Sequence, residues 1–492
     1  MAEVRTRRDV WKLDEWDPIL LWYARAIADM QKRPIKNPTS WRYQAAIHDY
    51  VRRADPNAKP GERLPSTAEQ NRFWRQCQHF SWFFLPWHRM YLAFFERIVA
   101  ASVRRLGGPA DWALPYWNYS ATANQDARRL PPAFRAARLP DGSANPLRVE
   151  RRAEGANDGS EIATLRQVDL EDCLVESSFI SQPTGGAAGF GGPRTGFKHT
   201  GQLGDVVGDL ERTPHGSMHV AVGGRFPDGS GGWMSTFHTA GLDPVFWLHH
   251  CNIDRLWAVW LGRAPGNANP TEVAWLRDQP FEFHDENGDV VRMTCEQVGD
   301  TTTPPLSYEY EDVSDPLPGG PQGRATRRTA VDKRLIPEMV GATDEPMTLE
   351  GESASTSLPV SQPTGPARRG VSAASSRVFL NLENITSTGV PDSYAVFVNL
   401  LPGANPEAHP ELYAGLLPMF GVAESSVARS EHPGDGVHYS LEITDIVRTL
   451  EARGDWKPDE LRVTFVPERP EAARRSTSGA SVQVGRVSLY YS

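Results

Sequence analysis

Seven histidines, enough to supply two sets of three imidazoles, fall on or beside four stretches that read as helical. His48 lies in TSWRYQAAIHDYVRR, and His79 and His88 lie in HFSWFFLPWHRMYLAFFE. His215 and His219 lie in PHGSMHV, and the adjacent His249 and His250 lie in DPVFWLHHCNID. These stretches, with DEWDPILLWYARAIADMQK near the N-terminus, place apolar side chains at i, i+3, i+4 and i+7 and stop near Gly or Pro. Helices of this kind pack as a bundle whose interior is lined by whatever faces inward. Here that interior is offered two sets of imidazoles.

The spacings limit how the rings can meet. His215 and His219 are four apart and share one helical face, with Glu211 expected one turn earlier on that face. The intervening Gly216, Ser217 and Met218 leave no internal glutamate, which excludes the HExxH pattern of zinc proteases. His79 and His88 would face opposite ways on one continuous helix, so to share a metal His79 must come from a loop or a helix end and His88 from just inside a helix, whose start Pro86 fits. His249 and His250 point about 100° apart, so only one faces a metal. Asp254, one turn after His250, orders the helix or pairs with Arg255. No Glu-x-x-His pairs accompany these positions, and two all-imidazole triads suit copper better than iron or manganese.

With 492 residues, the chain exceeds one ordinary core. Residues 1–312 read as the helical domain that carries the copper centre. Within it, about residues 121–204 form an unusually long Gly-, Pro- and Arg-rich stretch, of the kind that is functional or mobile. Residues 313–375 read as linker, with the pentapeptide SQPTG recurring at Ser181 and Ser361. From residue 376 to 492 the period changes to two: RVFLNLENI, YAVFVNLL, YSLEITDIV, ELRVTFVP and VQVGRVSLYYS predict a small all-β domain, a sandwich or barrel. The net charge of -9 argues against a nucleic-acid partner. No apolar run reaches the roughly 20 residues of a membrane helix. MAEVRTRRDVWKLDEWD lacks the apolar core of a signal peptide, so a cytoplasmic location is expected as written, with export requiring a carrier partner. Four cysteines are too few for a disulfide scaffold.

The stretches His79–Glu96 and Asp243–Asp254 resemble the two copper-site signatures of the type-3 copper proteins: tyrosinases, catechol oxidases (polyphenol oxidases) and molluscan haemocyanins. The resemblance covers about the first 310 residues. It implies two copper ions with O2 as co-substrate, one ion on His48, His79 and His88 and the other on His215, His219 and His250, with His249 a non-ligand. Tyr308 and Tyr310 resemble the Tyr-x-Tyr closure of that family's catalytic domain, and the β segment resembles the C-terminal domain that covers the copper site in latent forms. Cys77, two residues before His79, matches the Cys-x-His arrangement that in some members forms a thioether with the histidine.

The implied activity is oxidation of small phenols or catechols to o-quinones. Glu211 resembles the glutamate that orders a water for phenol hydroxylation, whereas Gly216 stands where efficient hydroxylases carry asparagine. Phe237, thirteen residues before His250, has the spacing of a gate over one copper. His238 is either near the metal or at the surface. In HPELYAGLLPMFG, the residues Tyr413, Leu416, Leu417, Met419 and Phe420 are candidates for a plug that the β domain inserts into the site. The expected protein is an o-diphenol oxidase with monophenol hydroxylase activity. The alternatives are a catechol oxidase without that activity, haemocyanin-like reversible O2 binding, and a binding protein with a vestigial site. The sequence leaves open whether the chain forms a homo-oligomer.

Overall fold

The computed structural model describes residues 4–197, 206–226, 228–317, 336–361, 377–428, 434–457, 461–470 and 480–492. The chain begins with β1 (Arg5–Arg7). Helix α1 (Pro18–Gln31) follows, with Asp17 accepting the Ile19 N–H and Pro18 at its first position. In α2 (Trp41–His48), Ser40 caps Tyr43 N–H, and the chain turns extended at Asp49, immediately after His48. The helical pattern in the sequence runs on to Arg53, but the backbone leaves the helix five residues sooner. The long α3 (Phe84–Arg105) is buried along most of its length. A short α4 (Ser217–Gly223) and a long α5 (Pro244–Arg263) complete the set, the latter capped by Asp243, whose carboxylate also binds the buried Arg152.

The stretch at 121–204 is a packed wrap among its described residues, not a free loop. Besides the Arg152–Asp243 pair, Trp82 donates its indole N–H to Thr195 O, and Asp172 pairs with Arg212. Asp254 pairs with Arg89 and Arg7 rather than with Arg255. Arg255 instead donates to Asp312 O and Asn252 Oδ1. Strand β2 (Tyr308–Tyr310) runs parallel to β1, and both tyrosine hydroxyls donate to Asp254 at 2.6 Å. Tyr308 and Tyr310 therefore close the helical domain against its own N-terminus.

The stretch read as linker is only partly that. Strands β3 (Glu338–Ala342), β4 (Met347–Leu349) and β5 (Ala354–Leu358) lie within it and pair into the C-terminal sheets. Residues 318–335 and 362–376 lie outside the described residues. Next come β6 (Val378–Ser387), β7 (Ser393–Val398), β8 (Tyr413–Leu417), the short α6 (Val422–Ser425), β9 (Val437–Glu442), α7 (Thr444–Arg453), β10 (Leu461–Glu468) and β11 (Val482–Tyr491). One antiparallel sheet has the order β8-β7-β10-β5; the other has β9-β6-β11-β3, with β4 also pairing β11. The two sheets share one apolar core, so the domain is a sandwich. TDIV, expected as strand, is helical: Ile446, Val447 and Leu450 are the buried face of α7. No described helix is long and apolar enough to cross a membrane.

Candidate metal centre

His48 ends α2, His79 sits in the loop before α3, and His88 lies in the second turn of α3. Their ring centroids are 5.1 Å (His48–His79), 6.0 Å (His48–His88) and 5.6 Å (His79–His88) apart. In the second set, His215–His219, His215–His250 and His219–His250 are 4.7, 5.1 and 5.5 Å apart. The sets face each other: His88 and His250 stack at 4.4 Å, and His79 lies 5.9 Å from His215. All six are essentially inaccessible to solvent.

Backbone carbonyls orient four of the rings. Nδ1 of His48 donates to Phe237 O and that of His88 to Phe84 O; His215 donates to Glu211 O and His219 to Met234 O, all within 3.1 Å. Each such bond fixes the tautomer and turns the bare Nε2 inward, as metal-binding histidines require. The Nε2 atoms of His219 and His250 approach to 3.3 Å, as do two nitrogens directed at one ion. Buried His79 Nδ1, His215 Nε2, His249 Nε2 and His250 Nδ1 have no hydrogen-bond partner. Burial, reinforced by neighbouring imidazoles, holds His79, His88, His215, His219, His249 and His250 well below the usual histidine range. They are neutral, the ligating form. Two groups of potential donors result: His48, Cys77, His79 and His88; and His215, His219, His249 and His250. These donors fit a pair of copper ions.

Glu211 precedes His215 but not on one continuous helix, because Thr213 adopts extended angles (φ -141°, ψ 124°). Its buried carboxylate instead accepts the Phe80 N–H, at 2.9 Å from each oxygen, beside His79. Burial raises the Glu211 carboxyl well above the ordinary range, and only the Phe80 bond opposes this. Phe237 stacks on His79 at 4.2 Å with the rings 3° apart. Cys77 Sγ is buried, 3.7 Å from His79 Nε2 and 3.3 Å from His88 Nε2. His249 turns Nδ1 toward the Tyr119 hydroxyl at 3.1 Å. His238 lines a groove between the domains.

Of the five plug candidates, only Phe420 has its ring among the histidines. It stacks on His219 at 3.8 Å and meets His215 and His79 edge-on. Tyr413, Leu416 and Leu417 belong to β8, where strand pairing holds them. Tyr413 packs on Phe397, and Leu417 and Met419 join the β-domain core. Sequence reasoning missed three residues here. Phe80 anchors Glu211 through a backbone atom, which no side-chain pattern reveals. Pro418 and Glu424 reach the site only through docking of the β domain. A Cβ on Gly216 would meet Pro418 at 3.6 Å and Glu211 O at 3.2 Å.

The profile of the common central domain of tyrosinase matches residues 38–263, and that of the polyphenol oxidase middle domain matches 269–319. A domain of unknown function matches 336–492, which includes β3 to β5 and so agrees with the strand pairing. A tyrosinase of a Hahella species is 35% identical over 99% of both chains. The chain belongs to the tyrosinase family of type-3 copper proteins. A latent-form polyphenol oxidase of Prunus armeniaca is 27% identical over 97% of this chain and 74% of its own length. The structure of latent apple tyrosinase covers 100% of this chain and 98% of its own, with TM-score 0.61 and 22% identity, a likeness of fold. As a member of this family the chain is a copper oxidoreductase of the tyrosinase and polyphenol oxidase type, acting on phenolic compounds with O2. Its tyrosinase domain holds the dinuclear copper centre.

Proposed function

We propose that the chain is a latent o-diphenol oxidase that also hydroxylates monophenols. The observation that carries this reading is the buried Glu211 carboxylate, held by Phe80 N–H at the edge of the two histidine sets. His48, His79 and His88 hold one copper; His215, His219 and His250 hold the other. His250 is preferred to His249 because its Nε2 converges with that of His219, whereas His249 turns toward Tyr119. When bound, the copper pair takes up O2 and accepts the electrons of the phenol.

The chain's own residues do the rest. The imidazoles stay neutral and fixed by the backbone carbonyls at their Nδ1 atoms. With copper charge bound beside it to favour the ionised form, Glu211 would receive the phenol proton at its carboxylate. Phe237 and Phe80 wall the site with apolar surface and exclude water. Overall, one phenol and one O2 give an o-quinone and water; two catechols and one O2 give two quinones and two waters. Phe420 lies over His219 where a substrate ring would approach, so it must withdraw first. We further assign Cys77 as the thioether partner of His79.

One observation favours the narrower catechol oxidase. Gly216 offers no side-chain amide to hold a water against Glu211. Oxygen uptake by copper-loaded protein, with a monophenol and a catechol in parallel and before and after limited proteolysis, decides between them. Uptake with both substrates supports the proposal, and uptake with catechol alone supports the narrower enzyme. Reversible O2 binding without turnover in either state would favour a carrier.

A further inference from the structure

Phe420 is not the only link from the β domain to the metal centre. Gly421 follows it with φ 78°, and a Cβ there would lie 2.4 Å from Phe237 Cζ, so only glycine lets α6 start this close to the gate. One turn on, Glu424 Oε1 accepts the Phe237 N–H at 3.2 Å. Phe237 begins the short helical turn Phe237–Ala240, whose own N-cap, Thr236, makes no capping bond. The N–H at such a start has no partner within the turn. A carboxylate from the other domain supplies it. The same residue's carbonyl accepts from His48 Nδ1 at 2.8 Å, and its ring stacks on His79.

We infer that Glu424 is a positioning residue for the first copper site: from the β domain it fixes Phe237, and Phe237 fixes His48 and His79. The β domain then acts on the centre at two points, with Phe420 also meeting His79 and Phe237 edge-on. Phe420 covers the His219 side, and Glu424 sets the orientation of the His48 side. Withdrawal of the domain therefore unblocks one copper and loosens the other.

The inference rests on His48 binding the first copper, and its test separates the two claims. Full-length Glu424→Ala, Glu424→Gln and Phe420→Ala are compared by hydrogen exchange on copper-free protein and by copper release to a competing chelator. Loss of one buried hydrogen bond is expected to speed exchange of the Phe237 amide by about tenfold in Glu424→Ala. One of the two coppers is expected to leave several-fold faster. Glu424→Gln, whose amide oxygen still accepts, is expected to behave as wild type, and Phe420→Ala is expected to keep the Phe237 amide protected. Unchanged protection in Glu424→Ala overturns the inference, as does equal loss of protection in Phe420→Ala, which would mean general loosening of the interface. Faster exchange with unchanged copper release shows that Phe237 does not transmit to the metal and equally overturns it. His48→Ala, loaded and assayed for copper content, tests the ligand assignment by itself.

Discussion

The ring of Phe420 lies 3.8 Å from the imidazole of His219, with the two planes 8° apart. An aromatic ring from one domain thus lies face to face with a histidine of the other. Phe420→Ala removes this contact and is expected to raise catechol oxidation by the intact chain at least severalfold, toward the rate after proteolysis. Emptying a buried phenylalanine site costs about 3–5 kcal/mol in other proteins; the remaining contacts between the domains, Glu424 with Phe237 and Arg377 with Glu176 among them, are expected to keep the β domain docked. Oxygen uptake without protease is the readout. An unchanged rate would show that Phe420 does not limit access.

Gly216 sits under Pro418. A methyl group there meets the proline at ordinary contact distance and presses on Glu211 O at 3.2 Å, which must give by a few tenths of an ångström, whereas asparagine would extend beyond both. Gly216→Ala is expected to leave latency nearly intact. Gly216→Asn should unseat the plug and, in protease-treated protein, raise the ratio of monophenol to catechol turnover. A fall in that ratio would remove the proposed role of a side-chain amide beside Glu211.

Asp209 is buried near the domain junction and pairs with Arg212, which also donates to Leu416 O in β8. Burial pushes the Asp209 carboxyl up to about 7, against the pull of Arg212. A raised carboxyl pKa in the folded protein favours the protonated form there. Its stabilising effect is full below the unfolded value of about 4 and is lost as the pH rises to about 7. Asp209→Asn cannot ionise, so its unfolding free energy, read by denaturant titration, should gain on that of wild type across that interval, by on the order of a few kcal/mol at most. A constant difference from pH about 4 to about 8 would contradict this.

The proposed thioether between Cys77 and His79 would form as the S–H and a ring C–H give way to an S–C bond, the two hydrogens reducing O2 to H2O2. The peptide spanning Cys77–His79 from copper-loaded, air-exposed protein should be lighter by two hydrogen atoms than that from copper-free protein. It should also resist alkylation. Full alkylation of denatured, copper-loaded protein would leave Cys77 an ordinary thiol.

The histidine pattern was legible because ligand spacing is written directly into covalent sequence. Even the need for His79 to lie off the helix followed from its distance to His88. What stayed hidden depends on docking. Five apolar candidates stood in one string, and the pairing of β8 with β7 commits Tyr413, Leu416 and Leu417 to a sheet. That leaves the turn after the strand to deliver Phe420. Strands β3 to β5 are short and polar, as in ASTSL, and are strands only because β11 and β10 lie alongside. In TDIVRTL the β-branched residues suggested a strand, while the i, i+1, i+4 spacing of Ile446, Val447 and Leu450 marks a helix face. Glu211 kept its place near the metal set, but by a backbone N–H across the site rather than by a shared helix face.

The parallel pairing of Arg5–Arg7 with Tyr308–Tyr310 fastens the two ends of the helical domain to each other. Asp254 and Glu96 anchor Arg7 from within. Every residue of the copper centre thus lies inside a circuit that closes before the chain reaches the β sandwich. A single cut downstream of Leu317 would sever the chain link to the covering domain without opening that circuit, leaving noncovalent contacts such as Phe420 with His219 and Arg377 with Glu176 to hold it. The cap is severable, whereas the metal cradle is sewn shut behind it.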